Sequence, residues 1–466
     1  MRSARSVLPI CLVVVLAACG ARLTGAERLE GIRALQRGGG TGGGATTGTG
    51  TGGGVLGGTT GPGGTGSAIG PNGAPLPGAI GSVPPGGNGG ATDTGVTATQ
   101  ITIATASDVT GVQAGLFKST FQAMTALTAM VNNQGGLYGR RVKLMLLDTK
   151  ATSNDNNAAV VQACSQAFAL VGSMSAFDNG GAEAGEKCGI PDVSAITVNA
   201  ARSLASNVYA ADPIRPDKFA IGTANYIKRT YGTAVIENAA MLYLNAGVTK
   251  SNALQRRRAY ETVGFKFRYF QQVEVLEPNY GTFVQAMREK GIQYVNMVAN
   301  YQSIQKLLKA MDQADWHPTV SDWDSVAYSQ SFLSVGAAAN NSLVFLNTTI
   351  YEEISSNPEM QLYNTWLQRV APGAKPDFFG FYAWSAGRLF LKVHEMVGPK
   401  ITRKAFFAAI KTIHSWDGYG LHVANDIGNK IQSPCFMYLV IANERFVRKS
   451  PPGRGFICNM GGIINT

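Results

Sequence analysis

Apolar and polar positions fall into regular patterns only from about residue 100. Ile101, Ile103 and Ala104 predict a short apolar strand that stops at the turn-rich run Ser107-Asp108-Val109-Thr110-Gly111. Apolar residues return at Leu116, Phe121, Met124, Leu127 and Val131. Steps of three to five place them on one stripe of a helix. The helix is expected to end at Asn133-Gln134-Gly135-Gly136, where glycine can take the left-handed cap conformation. A strand over 142–147 closes on Asp148, a helix covers roughly 156–167, and a third strand over 168–171 ends at Gly172-Ser173. This alternation predicts a parallel sheet wound right-handedly, with helices on its faces. Ligands bind beyond the carboxyl ends of such strands, which here are 107–111 and 173–177.

The rhythm continues with a helix over 179–188 and a strand over 190–196. Residues 197–216 are polar, with Pro213 and Pro216, and read as a crossing between domains. Periodicity then restarts: strand 239–244, helix 251–263, strand 267–275, helix 280–290, strand 294–299 and helix 304–314, the last with Leu307, Leu308 and Met311 on its apolar face. This predicts a second doubly wound domain. A strand over 343–346, a helix over 360–370, an aromatic-rich helix over 378–397 and a helix over 402–412 follow. The tail offers a strand over 436–441 and, after a turn at Ala442-Asn443-Glu444, the pair Phe446-Val447. Periodicity does not assign these late elements to either domain.

The first ninety or so of the 466 residues carry no such pattern. Arg2 and Arg5 precede an apolar run over 7–18, which fits a secretory signal and is too short to span a bilayer as a mature helix. Leu16-Ala17-Ala18-Cys19-Gly20 looks like a bacterial lipobox, implying cleavage before Cys19 and lipidation of its thiol. The alternative is an ordinary signal peptide in which Cys19 is incidental. Over 38–90, 25 of 53 residues are glycine, a composition with little apolar surface to bury. It predicts a disordered tether that would hold a folded part to the outer face of the cell membrane.

The formal net charge is +11, but the basic residues are dispersed and the export signal argues against a nucleic-acid partner. The densest cluster, Gln255-Arg256-Arg257-Arg258, is expected to face solvent on a helix. Cys11 leaves with the signal, and Cys164, Cys188, Cys435 and Cys458 remain after Cys19. An even count in an exported chain favours disulfides. Of the three possible pairings, proximity favours Cys164 with Cys188 and Cys435 with Cys458. No two cysteines have ligand spacing and none has a nearby histidine, so no metal site is expected.

Catalytic patterns are missing. The four histidines, His317, His394, His414 and His422, lie far apart in sequence, and no phosphate-cradling loop occurs. Gly180-Gly181-Ala182-Glu183-Ala184-Gly185 has the wrong spacing for a dinucleotide fingerprint. Gly172-Ser173-Met174-Ser175 puts a serine after a strand but lacks the second glycine of a nucleophile elbow. Neither an enzyme nor a cofactor is expected.

The strand ending in a Ser/Thr/Gly turn, the helix closing on Asn133-Gln134-Gly135-Gly136-Leu137-Tyr138-Gly139-Arg140-Arg141, and the strand ending in Asp148 together resemble the opening of the type I periplasmic binding proteins. These are solute-binding components of ABC importers, typified by the leucine/isoleucine/valine-binding branch. The resemblance spans roughly 100–447 and implies an α/β fold of two doubly wound lobes with parallel sheets, joined by a three-segment hinge. The implied division is a signal over 1–18, a lipidated tether over 19–92, lobe 1 over 93–213 and 342–425, and lobe 2 over 214–341 and 426–466. Position by position, the resemblance implies ligand contacts from Ser173, Ser175 and Ala176 after the third strand, and from Ala195 and Thr197 after the fourth. It also implies contacts from Tyr301 and from Asp322 or Asp324 in the second lobe. The stretch Asn245-Ala246-Gly247-Val248 departs from it, having no aromatic where amino-acid binders often carry one. The expected function is a monomeric, lipid-anchored extracytoplasmic protein that delivers an amino acid, amide or related polar or amphipathic solute to an ABC permease. A ligand sensor of the same fold and an exported hydrolase using Ser173 are the alternatives.

Overall fold

The computed structural model describes residues 78–112 and 114–466. The expected signal, Cys19 and most of the expected tether lie outside the described residues. Thirteen strands form two large sheets and one two-stranded pair among the described residues.

The first sheet has the order β2-β1-β3-β4, from β1 (Gln100–Ser107), β2 (Arg141–Asp148), β3 (Ala169–Val171) and β4 (Asp192–Val193), all parallel. Strand β1 is buried along all but its first residue, as a central strand covered on both faces must be. Helices α1 (Lys118–Asn133) and α2 (Ser153–Gln166) cover it; Thr152 caps α2, its Oγ1 accepting the Asp155 N–H at 3.0 Å. Only two residues of the expected fourth strand pair as β4.

The second sheet is larger. Strands β6 (Ala239–Leu244), β7 (Phe267–Val273), β8 (Tyr294–Val298), β9 (Val320–Trp323) and β10 (Leu343–Leu346) run parallel in the order β10-β9-β8-β6-β7. Strands β11 (Met437–Ala442) and β12 (Arg445–Ser450) extend the β10 edge antiparallel. The tail that periodicity left unassigned therefore joins this sheet. Strand β5 (Lys218–Ala220) pairs antiparallel with β13 (Ile463–Asn465). Pattern reading missed β5, β9 and β13, which are three or four residues long and too short to show a period.

Helices α3 (Thr249–Glu261) and α4 (Tyr301–Gln313) belong to this second lobe. The chain returns to the first lobe through α5 (Pro358–Val370) and the aromatic-rich α6 (Phe378–Val397), which pack on α1. Strand β10 lies in the second sheet, although 342–425 is the segment expected in lobe 1. The chain thus crosses between lobes three times, near 212–218, 346–348 and 425–437.

Both proximity pairings form, with sulfur–sulfur bonds joining Cys164 to Cys188 and Cys435 to Cys458. Residues 78–92, expected to be tether, instead lie on lobe 1. Ala79 is fully buried, and the Arg140 guanidinium donates to the Gly90 carbonyl at 3.0 Å and to the Asn88 carbonyl. A buried cation that needs acceptors holds a glycine-rich segment which composition alone describes as unstructured.

Candidate ligand cleft between the lobes

The carboxyl ends of the two parallel sheets face each other across a cavity of about 200 Å³. Lobe 1 contributes Met174 from the loop after β3, Ile196 and Val198 from the loop after β4, and Phe378 and Phe379 from the start of α6. Asp377 sets that start: its carboxylate accepts the Gly380 N–H at 2.8 Å as the helix N-cap, which places the two phenylalanines in the first turn. Lobe 2 contributes Phe219, Tyr260, Phe345 and Phe436, with Val298 from the end of β8 and Val326 from the loop after β9. The wall is thus mostly aromatic and aliphatic.

Among the polar residues of the wall, two linked groups stand out. The first is an ion pair: Arg256 Nη2 donates to Asp324 Oδ2 at 2.7 Å, and Nη1 donates to Asn296 Oδ1 at 3.0 Å. Burial opposes the charge on Arg256, but Asp324 outweighs it and holds the guanidinium pKa above its ordinary value. This corrects the sequence expectation for the arginine cluster. Arg258 is exposed and Arg257 pairs with Glu261, while Arg256 turns inward. The i,i+4 partner of Arg257 is visible in sequence, whereas the partner of Arg256 lies 68 residues away.

The second group is set in the crossing segments. Asp212, Asn347 and Gln432 come from the first, second and third crossings and meet in the cavity wall. Gln432 Nε2 donates to Asp212 Oδ1 at 2.8 Å, and Asn347 Nδ2 approaches both Asp212 oxygens at 3.3 and 3.4 Å. Burial pushes the Asp212 carboxyl up to about 6, against the two amide donors.

Of the residues expected to touch ligand, the structure brings Asp324 to the cavity and leaves the others out of its wall. Ser173 Oγ accepts the Ala106 N–H of β1 at 3.1 Å. Ser175 Oγ donates to Asp108 Oδ1 at 2.8 Å, and the Ala176 N–H donates to Asp108 Oδ2 at 2.8 Å. The Ala195 N–H donates to the Ser173 carbonyl at 3.0 Å, and Thr197 Oγ1 donates to the Ile214 carbonyl at 3.2 Å. Tyr301 is half-buried at the start of α4. Asp322 is fully buried in β9, accepts from Tyr294 Oη at 2.7 Å, and is pushed by burial up to about 7. The expected loops are therefore at the cleft, but the side chains that face it are their neighbours Met174, Ile196 and Val198.

Ser173 faces β1, and the serine that does meet a histidine is Ser385. Its Oγ lies 2.7 Å from His422 Nε2 and accepts from Trp416 Nε1 at 2.9 Å. Both residues are buried, and the other ring nitrogen of His422 contacts the Val423 carbonyl at 2.7 Å, not a carboxylate. The cluster ties α6 to the segment that follows the helix over 403–410.

Sequence reasoning missed the aromatic wall and the three crossing-segment residues. Asp377-Phe378-Phe379 at a helix start was a usable signal. Asp212, Asn347 and Gln432 lie in irregular backbone and gave none.

A family model described as "Periplasmic binding protein" matches residues 100–443. No curated protein sequence matches the chain. Among solved structures, the chain is similar to a branched-chain amino acid transporter substrate-binding protein of Streptococcus pneumoniae in complex with isoleucine. The match has 12% identity and a TM-score of 0.64, covering 76% of this chain and 100% of that one. A fatty acid ABC transporter substrate-binding protein from Thermomonospora curvata matches at 16% identity with a TM-score of 0.64, covering 82% and 95%. A leucine-binding protein from Thermotoga maritima matches at 13% identity with a TM-score of 0.63, covering 75% and 98%. At these identities the likeness is one of fold.

Proposed function

Because this chain belongs to the periplasmic binding protein family, we propose that it is an extracytoplasmic lipoprotein that captures a small, largely apolar solute between its lobes and delivers it to an ABC permease. The observation that carries this reading is the two-sided cavity at the carboxyl ends of both sheets, walled by Phe378 and Phe379 on one lobe and Phe345 and Phe436 on the other. Such a site buries most of a small ligand and leaves a few polar groups to orient it. Within the range of solutes expected from sequence, the wall favours the amphipathic members over strongly polar ones. Ligand bridging the two walls would favour the closed arrangement by its differential affinity for it. The lipid anchor rests on the Leu16-Ala17-Ala18-Cys19 motif.

The test is a thermal-shift screen of amphipathic amines, amides, amino acids and aromatic acids on the full chain, repeated on F379A and F345A. A ligand at a hundred times its Kd adds about 2.7 kcal/mol. The expected result is a shift that shrinks in each variant relative to that variant's own unliganded Tm. A ligand whose shift is untouched by both substitutions binds elsewhere and would sink the cleft assignment.

A further inference from the structure

The cleft holds a carboxylate with no counter-charge. Asp212 is 1% exposed, and its hydrogen-bonding partners in the cavity wall are the neutral amides of Asn347 and Gln432. None of the ion pairs among the described residues includes it. The two cations of the cavity wall are engaged elsewhere, Arg256 with Asp324 at 2.7 Å and Lys218 with Asn465 Oδ1 at 3.2 Å. Beside Asp212, Asn347 is 3% exposed and its Oδ1 is buried without a partner. This corner of the cleft therefore offers acceptors in excess of donors. A buried charge left unpaired is costly, and an unmatched amide oxygen adds to that cost. A cation that enters relieves both.

The rest of the wall suits such a cation. The phenylalanines of both lobes line the cavity and offer apolar surface to the body of such a cation. The opposite end of a zwitterion fares worse. The donors after β3 that would receive a ligand carboxylate are already taken by Asp108: Ser175 Oγ and the Ala176 N–H at 2.8 Å each, with Thr149 Oγ1 as a third donor.

We propose that the cleft selects an apolar monocation, an ammonium group carrying an alkyl or aryl body, with its N–H donors on Asp212 and Asn347 Oδ1 and its body against the phenylalanines. This rests on the reading of the cleft as the solute site.

Calorimetric titration of the full chain with phenethylammonium, 2-phenylethanol, 3-phenylpropionate and phenylalanine tests it, because the four share a body and differ in the head. At pH 7.5 the ammonium compound should bind at least tenfold more tightly than the other three. D212N should bring it level with the alcohol. The native chain gives a second measurement that does not depend on the variant folding. Burial pushes Asp212 up to about 6, and Tyr382, which feels its charge, is kept protonated by burial and by Asp212. The ammonium-to-alcohol ratio should therefore collapse between pH 7.5 and pH 5. If the propionate or phenylalanine binds more tightly than the ammonium compound, or the ammonium preference survives both D212N and pH 5, the inference is overturned while the cleft reading stands. If none of the four binds, both fall together.

Discussion

His394 is the clearest case of a side chain whose chemistry is unused by its surroundings. It is fully buried in α6, stacked near Tyr138 and Phe390, and neither ring nitrogen has a hydrogen-bond partner. Burial, aided by the nearby Arg140 charge, pushes its pKa down to about 3. Because the folded value lies below the ordinary 6.5, the stability it contributes is full above pH 6.5 and is lost as pH falls from there toward 3. Phenylalanine has no nitrogen to leave unpaired and does not titrate. H394F should therefore raise Tm at pH 7.5 by about 1–3 °C. Its advantage over the native chain should widen by about 2 kcal/mol on going to pH 5. Melting curves at both pH values decide this, and a gap that stays constant between them would show that His394 is not buried neutral.

At the scale of elements, the framework of the first lobe was legible because long central strands and amphipathic helices leave a period. The Gly-Gly-x-x-Gly-Arg segment was legible as a motif, but its physical reason appears only in three dimensions. Arg140 is fully buried and donates to the carbonyls of Thr97 at 2.7 Å and Pro399 at 2.8 Å, besides Asn88 and Gly90. Gly180 and Gly181, which suggested only a poor nucleotide fingerprint, are packing glycines. A Cβ at Gly180 would lie 2.0 Å from the Ser153 carbonyl oxygen, and one at Gly181 would lie 2.3 Å from Val160 Cγ2. The site was less legible, since the loops were right but the inward-facing residues were not. Which side chain of an irregular loop turns inward depends on partners such as Asp108, which lies 67 and 68 residues from the Ser175 and Ala176 donors it binds. The same contacts define where the folded chain begins. A chain starting at Asp93 loses two acceptors of the Arg140 guanidinium and the buried Ala79, and should be about 2–4 kcal/mol less stable than one starting at Gly78. Urea denaturation of the two truncations measures this directly, and equal midpoints would mean that residues 78–92 contribute nothing to the fold.

For the whole molecule, the question is what the contact between the lobes is worth to binding. Gly247, in the loop after β6, has a φ of +48°, and a Cβ there would lie 2.8 Å from the Ala176 carbonyl oxygen in the loop after β3. The missing aromatic in Asn245-Ala246-Gly247-Val248 thus has a steric reason: the opposing lobe's backbone occupies that space. A large side chain at 247 can be accommodated only if the two loops separate. Each lobe is built on its own sheet and keeps its covering helices, so the cost should fall on the arrangement of the lobes. G247W should keep a cooperative melt within a few degrees of the native chain while increasing the radius of gyration measured by X-ray scattering. It should weaken any cleft ligand by tenfold or more, or about 1.4 kcal/mol, because the phenylalanines of one lobe would no longer reach a molecule held by the other. A glycine that only eases a local turn predicts the reverse: lower stability, an unchanged radius and unchanged affinity per folded molecule. The two readings differ on every observable, so one variant measured three ways separates a lobe contact that controls the cleft from a strained turn.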